Sequence, residues 1–164
     1  MLIRPGRAAD LAHINEIYNH YVRETPITFD IEPITMELRT EWFGHYDVSG
    51  RHRLLVAAVD DRVLGYATSS PWHPRPAYET SVETSIYLAP DATGRGVGSA
   101  LYSRLFEELA GEDLHRAYGG ITLPNPASIA LHERFGFGRV AYFTEQGRKF
   151  GRYWDVALYE KELP

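Results

Sequence analysis

Residues 94–98 read GRGVG, with glycine at Gly94, Gly96 and Gly98. A β-like run that stops at Pro90 precedes them, and a stretch of helical spacing follows. Glycines on alternate positions let successive backbone N–H groups face one concave surface. A helix N-terminus adds unpaired N–H groups and the positive end of the helix dipole. Together these suit a phosphate or pyrophosphate, with Arg95 supplying charge at the rim. A flexible turn before a helix reads the same way, because short glycine motifs are weak signals. Two phosphate loops are excluded by spacing. A Walker loop ends in Gly-Lys-Ser/Thr, whereas Gly98 is followed by Ser99 and Ala100. A dinucleotide fingerprint needs Gly-x-Gly-x-x-Gly and usually an acidic residue ending the next strand, which here ends in TLPN.

Other residues could move protons or grip a ligand. Glu83, in SVETSIYL, lies on the strand that leads to the glycines. It is either a general base, if burial raises its pKa, or a solvent-facing strand residue. Glu79 lies four residues earlier and is expected to point the same way along that strand, nearer the rim. His132, in ALHERFGF, can carry a proton near neutral pH or can simply pack or cap. Arg75, in the proline-rich PWHPRPAY, could hold a carboxylate in bidentate fashion or be a solvated loop charge. Phe29 and Tyr78 can wall a pocket. His13, His20 and His45 are expected on helix surfaces. No histidine pair has metal-ligand spacing, so no metal is expected.

These residues need elements to hold them. Leu2 to Arg4 reads as a short strand ended by Pro5 and Gly6, and AADLAHINEIYNHYVRE as a helix with Leu11, Ile14, Ile17 or Tyr18, and Tyr21 or Val22 on one face. After the loop TPITFDIEP, TMELRTEWFGHY reads as a second helix with Thr35 as N-cap and Gly44 near its end. HRLLVAAVDDRVLGYATSSPW reads as two strands joined at Asp60–Asp61. Prolines exclude regular structure from 71–78. ETSVETSIYLAP is a strand, and a helix is expected from Gly96 to Ala110. HRAYGGITL is a strand. NPASIALHERFG is a short helix with Asn125 as N-cap, Pro126 at its first position and Gly136 just past its end. GRVAYFTEQ and RYWDVALYEKEL read as two antiparallel strands. The order β-α-α-β-β-β-α-β-α-β-β does not alternate regularly, which favours an α+β fold with a mixed sheet over a doubly wound parallel one.

The totals bound the function. The 164 residues suit one domain over 1–164, and 44% hydrophobic residues are enough for a core. A net charge of −5 argues against a general nucleic-acid binder. The chain has no cysteine, which removes disulfides, thiolate metal sites and a cysteine nucleophile. MLIRPGRAAD lacks the apolar core of a signal peptide, and no run is long enough to cross a bilayer. A cytoplasmic protein without membrane or nucleic-acid partners is expected.

The segments TGRGVGSALYSRL and NPASIALHERFGF, each entered from a strand, resemble the GCN5-related N-acetyltransferases. NHYVRETPITF, PWHPRPAYETSVETSIYL and GRKFGRYWDVALYEKEL narrow the resemblance, over nearly the whole chain, to the phosphinothricin and methionine sulfoximine acetyltransferases. The resemblance implies a mostly antiparallel central sheet flanked by helices on both faces, acetyl-CoA as cosubstrate, and a homodimer. The family's Gln/Arg-x-x-Gly-x-Gly/Ala pattern meets Thr93 at its first position, while Gly96 and Gly98 match. By resemblance, cofactor contacts fall on Gly94, Arg95, Gly96, Val97, Gly98, Ser99, Asn125 and Ser128, and on the backbone of Ile86, Tyr87 and Leu88. Glu83 matches the family's catalytic glutamate, and His132 or Tyr102 would assist the departing thiolate. Substrate contacts would fall on Phe29, Arg75, Tyr78, Ser85 and Val156. The implied reaction is acetyl transfer to the α-amine of a small amino-acid-like acceptor. Alternatives are a polyamine, an aminoglycoside or a protein N-terminus as acceptor, or a CoA-binding module without turnover. The aromatics Tyr142, Phe143, Phe150, Tyr153, Trp154 and Tyr159 would serve either a dimer interface or the core.

Overall fold

The computed structural model describes residues 1–164. A seven-stranded sheet runs in the order β1-β2-β3-β4-β5-β7-β6. The strands are β1 (Leu2–Pro5), β2 (Leu54–Val59), β3 (Arg62–Pro71), β4 (Ser81–Leu88), β5 (Arg116–Thr122), β6 (Gly138–Lys149) and β7 (Arg152–Glu162). The helices are α1 (Leu11–Glu24), α2 (Met36–Phe43), α3 (Val97–Leu109) and α4 (Pro126–Arg134). Every neighbouring strand pair is antiparallel except β4–β5, which is parallel. The fold is α+β with helices on both faces of the sheet, as expected.

Alternation along β4 separates the two faces. The Tyr87 ring packs on Tyr18 and Tyr21 of α1, whereas Ile86 and Leu88 approach Gly98 of α3. The core lies between the sheet and these helices, with Ile14, Leu55, Val56, Val82, Leu101 and Leu105 all essentially inaccessible. A chain that buries this much aliphatic surface draws most of its stabilisation from it.

Several boundaries differ from the sequence expectation for local reasons. Helix α1 starts three residues late, at Leu11, because Ala8–Asp10 forms a 3-10 turn. The Asp10 carboxylate takes both Arg4 amino groups at 2.7 and 2.8 Å and the Arg7 amide at 2.8 Å, which pins that turn. Thr35 caps α2 by accepting from the Leu38 amide, but α2 ends at Phe43 rather than Tyr46. Glu79 is not on a strand. It closes the 3-10 turn Pro76–Tyr78, exposed, 3.7 Å from Arg51. Strand β6 continues past Gln146 to Lys149. The pairing with β7 shifts register between Phe143 and Gly147, and at Gly147 the Phe29 ring sits where a Cβ would be, 2.2 Å away. Of the late aromatics, Tyr159 is core and Trp154 half-buried, while Tyr142, Phe143, Phe150 and Tyr153 are exposed on the β6–β7 hairpin.

Candidate active site

Strand β4 pairs with β5 over only three positions, Ser81 to Glu83. Beyond Glu83 the two strands separate, while β4 stays paired with β3 as far as Leu88. The alternation of backbone groups fixes which amides face the gap. The Ala89 amide bonds Leu64 of β3, and the Ser81 carbonyl accepts from Trp72, so odd residues turn toward β3. The Thr80 carbonyl accepts from His115 and the Leu88 carbonyl from the Tyr21 hydroxyl at 2.6 Å, so even residues turn away from it. The Ile86 and Leu88 amides therefore face the gap, and the Tyr87 amide does not.

The gap opens into a cleft of about 980 Å³. Its walls include Glu83 to Leu88, Thr93, Gly94 and Gly96 to Ser99 of the glycine turn, Tyr102, Asn125, Ser128 and His132, with Phe29 and Val156. At the turn, Gly94 and Gly96 take φ of 69° and 79°, the left-handed region where only glycine is unstrained. Gly96 forms the N-cap of α3. Gly98 has a different role, because a Cβ there would lie 3.3 Å from Leu131 of α4, so it sets how closely α3 and α4 approach. Thr93 donates its hydroxyl to the Pro90 carbonyl at 3.0 Å, closing the turn that enters the loop. Asn125 caps α4 by accepting from the Ser128 amide at 3.1 Å.

Glu83 is half-buried, and burial pushes its carboxyl above the ordinary glutamate range, with His73 pulling weakly the other way. Beneath the cleft, Tyr102 and His132 are brought together: the hydroxyl lies 3.1 Å from Nε2. The imidazole Nδ1 lies 2.8 Å from the Ser128 carbonyl, which can only accept, so Nδ1 carries the proton. Nε2 is then left to accept from Tyr102. Burial lowers the His132 pKa, in keeping with a neutral ring, and raises that of Tyr102 well above the usual phenol range. The ring is seated against Gly119, where a Cβ would come within 2.7 Å of Nε2.

Not every expected residue is gathered. Arg75, Tyr78 and Arg95 are exposed and lie outside the cleft lining, with Arg75 starting the 3-10 turn of the proline-rich loop. The sequence reading missed Arg134, whose Nη1 reaches the Ser99 hydroxyl at 3.3 Å and brings a cation to the glycine turn. Its position two residues after His132 on a short helix was the available signal. It also missed the support of the Phe29 wall of the cleft, where buried Lys149 donates to the Thr28 carbonyl at 2.7 Å and holds the Phe29 loop against β6. No group of three or more His, Asp or Glu side chains is placed to hold a metal ion. No helix is long and apolar enough to cross a membrane.

Residues 14–137 match the acetyltransferase (GNAT) family. The chain is 59% identical to a phosphinothricin N-acetyltransferase of Streptomyces coelicolor, over 98% of this chain and 95% of that one. It is 34% identical to an L-methionine sulfoximine/L-methionine sulfone acetyltransferase of Pseudomonas aeruginosa, over 98% and 94%. A Salmonella typhimurium protein solved with its cofactor acetyl-CoA superposes with a TM-score of 0.95 at 34% identity, covering 100% of this chain and 94% of that one.

Proposed function

The chain belongs to the GNAT family and is an acetyl-CoA-dependent N-acetyltransferase, and from that premise we propose that it acetylates the α-amine of a small amino-acid-like acceptor with Glu83 as general base. What supports the reading is the opening of β4 away from β5 directly after Glu83. That one strand edge carries a half-buried carboxylate and two unpaired amides into a cleft with a glycine turn at its far end.

The residues present fit acetyl-CoA. The Gly94–Gly96 turn, the N-terminus of α3 and Arg134 offer amides and a cation to the pyrophosphate. The free edge of β4 can pair with an amide-rich arm as an added strand would. Bound there, acetyl-CoA supplies an electrophilic thioester carbon and a thiolate leaving group. Glu83 takes the proton of the incoming ammonium, directly or through water, which frees the nitrogen lone pair for the new N–C bond. The Ile86 and Leu88 amides are suited to the charge that gathers on the thioester oxygen. As the C–S bond breaks, the sulfur leaves with its electron pair and takes up the second proton that the acylated nitrogen releases, and Tyr102 can donate a hydrogen bond to it by turning its one hydroxyl hydrogen away from His132 Nε2. Outright proton transfer from Tyr102 is unfavourable, because burial holds its pKa far above the ordinary thiol value of about 8.5. Neutral His132 has its only N–H committed to Ser128, so it orients Tyr102 rather than acting as the acid.

The acceptor class follows from the relatives. The Streptomyces coelicolor and Pseudomonas aeruginosa proteins carry names for phosphinothricin and methionine sulfoximine acetylation. Free-thiol release from acetyl-CoA tests the class against L-phosphinothricin, L-methionine sulfoximine, L-methionine sulfone, the common L-amino acids and a polyamine. Release with the amino-acid analogues is expected. Release with the polyamine alone would replace the acceptor class. The same proposal includes a homodimer in the cytoplasm, with the exposed Val140, Tyr142, Phe143, Phe150 and Tyr153 of the β6–β7 hairpin as its contact surface.

A further inference from the structure

A second cavity, of about 390 Å³, lies beside the cleft on the α1–α2 face and shares Ser85 and Tyr87 with it. One wall is Arg39 of α2, only 4% exposed. Its guanidinium lies between two rings, 4.8 Å from the centre of Tyr18 and 4.4 Å from that of Trp42. Its Nε donates to the Asn15 side chain at 3.1 Å. Nη1 and Nη2 meet no protein acceptor, and Arg39 takes part in none of the chain's ion pairs. The other buried arginine, Arg53, is held by Glu108 at 3.1 Å and Glu112 at 2.9 Å. A buried cation without a counter-ion is costly, and aromatic faces offset only part of that cost.

The rest of the cavity suits an anion. Thr68 and the hydrogen-bonded pair Tyr46–Ser70 line it with hydroxyls. Tyr18, Tyr66 and Tyr87 are its other titratable neighbours, all held protonated at neutral pH by burial. The one carboxylate, Asp30, is exposed at the rim and already accepts from the Tyr18 hydroxyl.

The geometry relates this cavity to the reaction. Glu83, Ser85 and Tyr87 project from one face of β4, and successive same-face residues stand about 7 Å apart. The α-amine and the γ-substituent of a glutamate-length amino acid are separated by roughly 5–6 Å, whereas its α-carboxylate lies only about 3–4 Å from the amine. An acceptor with its amine at Glu83 therefore reaches Ser85, and the cavity behind it, with its distal end. We propose that the Arg39 cavity binds the distal anionic group of the acceptor, a carboxylate or phosphinate, while the amine sits at Glu83. The inference rests on the acceptor class proposed above and adds that the enzyme selects for a second acidic group.

The test titrates two probes into the CoA-saturated protein and follows binding by calorimetry. L-phosphinothricin carries an anionic distal phosphinate, and L-methionine sulfone a neutral distal sulfone. Arg39→Met is expected to weaken phosphinothricin binding about 10- to 100-fold, the scale of a charge-assisted contact, and the sulfone by less than about 3-fold. Arg39→Lys should fall between wild type and Arg39→Met for phosphinothricin. Equal losses for both probes, or a wild type that binds no phosphinothricin, would overturn the inference. Should the Arg39 variants fail to fold, Ser70→Leu narrows the cavity from β3. It should lose phosphinothricin and keep acetyl-CoA, and unchanged phosphinothricin binding would count equally against the site. Arg39-dependent binding of phosphinothricin without any acetylation would leave this site standing and remove the proposed function. Acetylation of the sulfone without Arg39-dependent binding of phosphinothricin would do the reverse.

Discussion

Gly119→Ala isolates the seat of the His132 ring. A Cβ at this position would lie 2.7 Å from Nε2 and 3.0 Å from Cδ2 of His132. To regain an ordinary contact near 3.4 Å the imidazole must retreat by about 0.7 Å. It is tethered at both nitrogens, 2.8 Å from the Ser128 carbonyl and 3.1 Å from the Tyr102 hydroxyl. Neither bond survives such a shift with good geometry. Overpacking of this kind costs about 1–3 kcal/mol. For a chain of this length each kcal/mol lowers Tm by roughly 2–4 °C. Losing the Tyr102 bond should also lower kcat by roughly 2- to 10-fold, the range of a single neutral hydrogen bond, with the KM for acetyl-CoA little changed. Gly120→Ala is the stability control, because a Cβ there meets nothing within 4 Å. Differential scanning fluorimetry and thiol-release kinetics read both quantities. A Gly119→Ala protein with wild-type Tm and kcat would refute the idea that this glycine seats His132 and that the seat matters for turnover.

Two further outcomes follow from the site. Gly96→Ala places a side chain at a φ of 79°, so it should raise the KM for acetyl-CoA about 5- to 10-fold through strain of roughly 1–2 kcal/mol, with the acceptor KM unaffected; steady-state kinetics in both substrates would show it. Burial raises the Glu83 pKa, so kcat/KM should fall as pH drops through a value above the ordinary 4.5. The same shift has a stability counterpart: a raised folded-state pKa favours folding at pH below the unfolded value, and that contribution is lost as pH rises through the folded value. Relative to wild type, Glu83→Gln should therefore gain Tm between pH 4 and pH 8, which paired melting curves would reveal.

The sequence made most of this framework legible. Helix and strand periods, the proline boundaries, Thr35 and Asn125 as caps and the glycine turn all depend on local chemistry, and each lies where its own neighbours put it. What stayed hidden depends on contacts between distant segments. His132 meets Tyr102 thirty positions earlier only because Gly119, on a third element, leaves room for the ring. The strand read as GRVAYFTEQ continues through Gly147 to Lys149, and Gly147 lets the Phe29 ring, from a distant loop, take the space of a side chain. The glycines at 94 and 98 look alike in sequence, but one answers a backbone angle and the other helix packing. The resemblance implies contacts at the gap from the backbone of Ile86, Tyr87 and Leu88 alike. That only Ile86 and Leu88 serve it, and not Tyr87, required the register against β3.

Glu83→Gln gives the most direct test of the chemistry. The measurement is steady-state thiol release at pH 8 with an amino-acid acceptor that wild type acetylates, alongside the Kd for acetyl-CoA. Loss of the base should lower kcat by about 100-fold or more while the Kd stays within about 2-fold of wild type. Wild-type turnover in the glutamine variant would contradict the assignment of Glu83, and with it the reading of the β4–β5 opening as the place where the amine loses its proton.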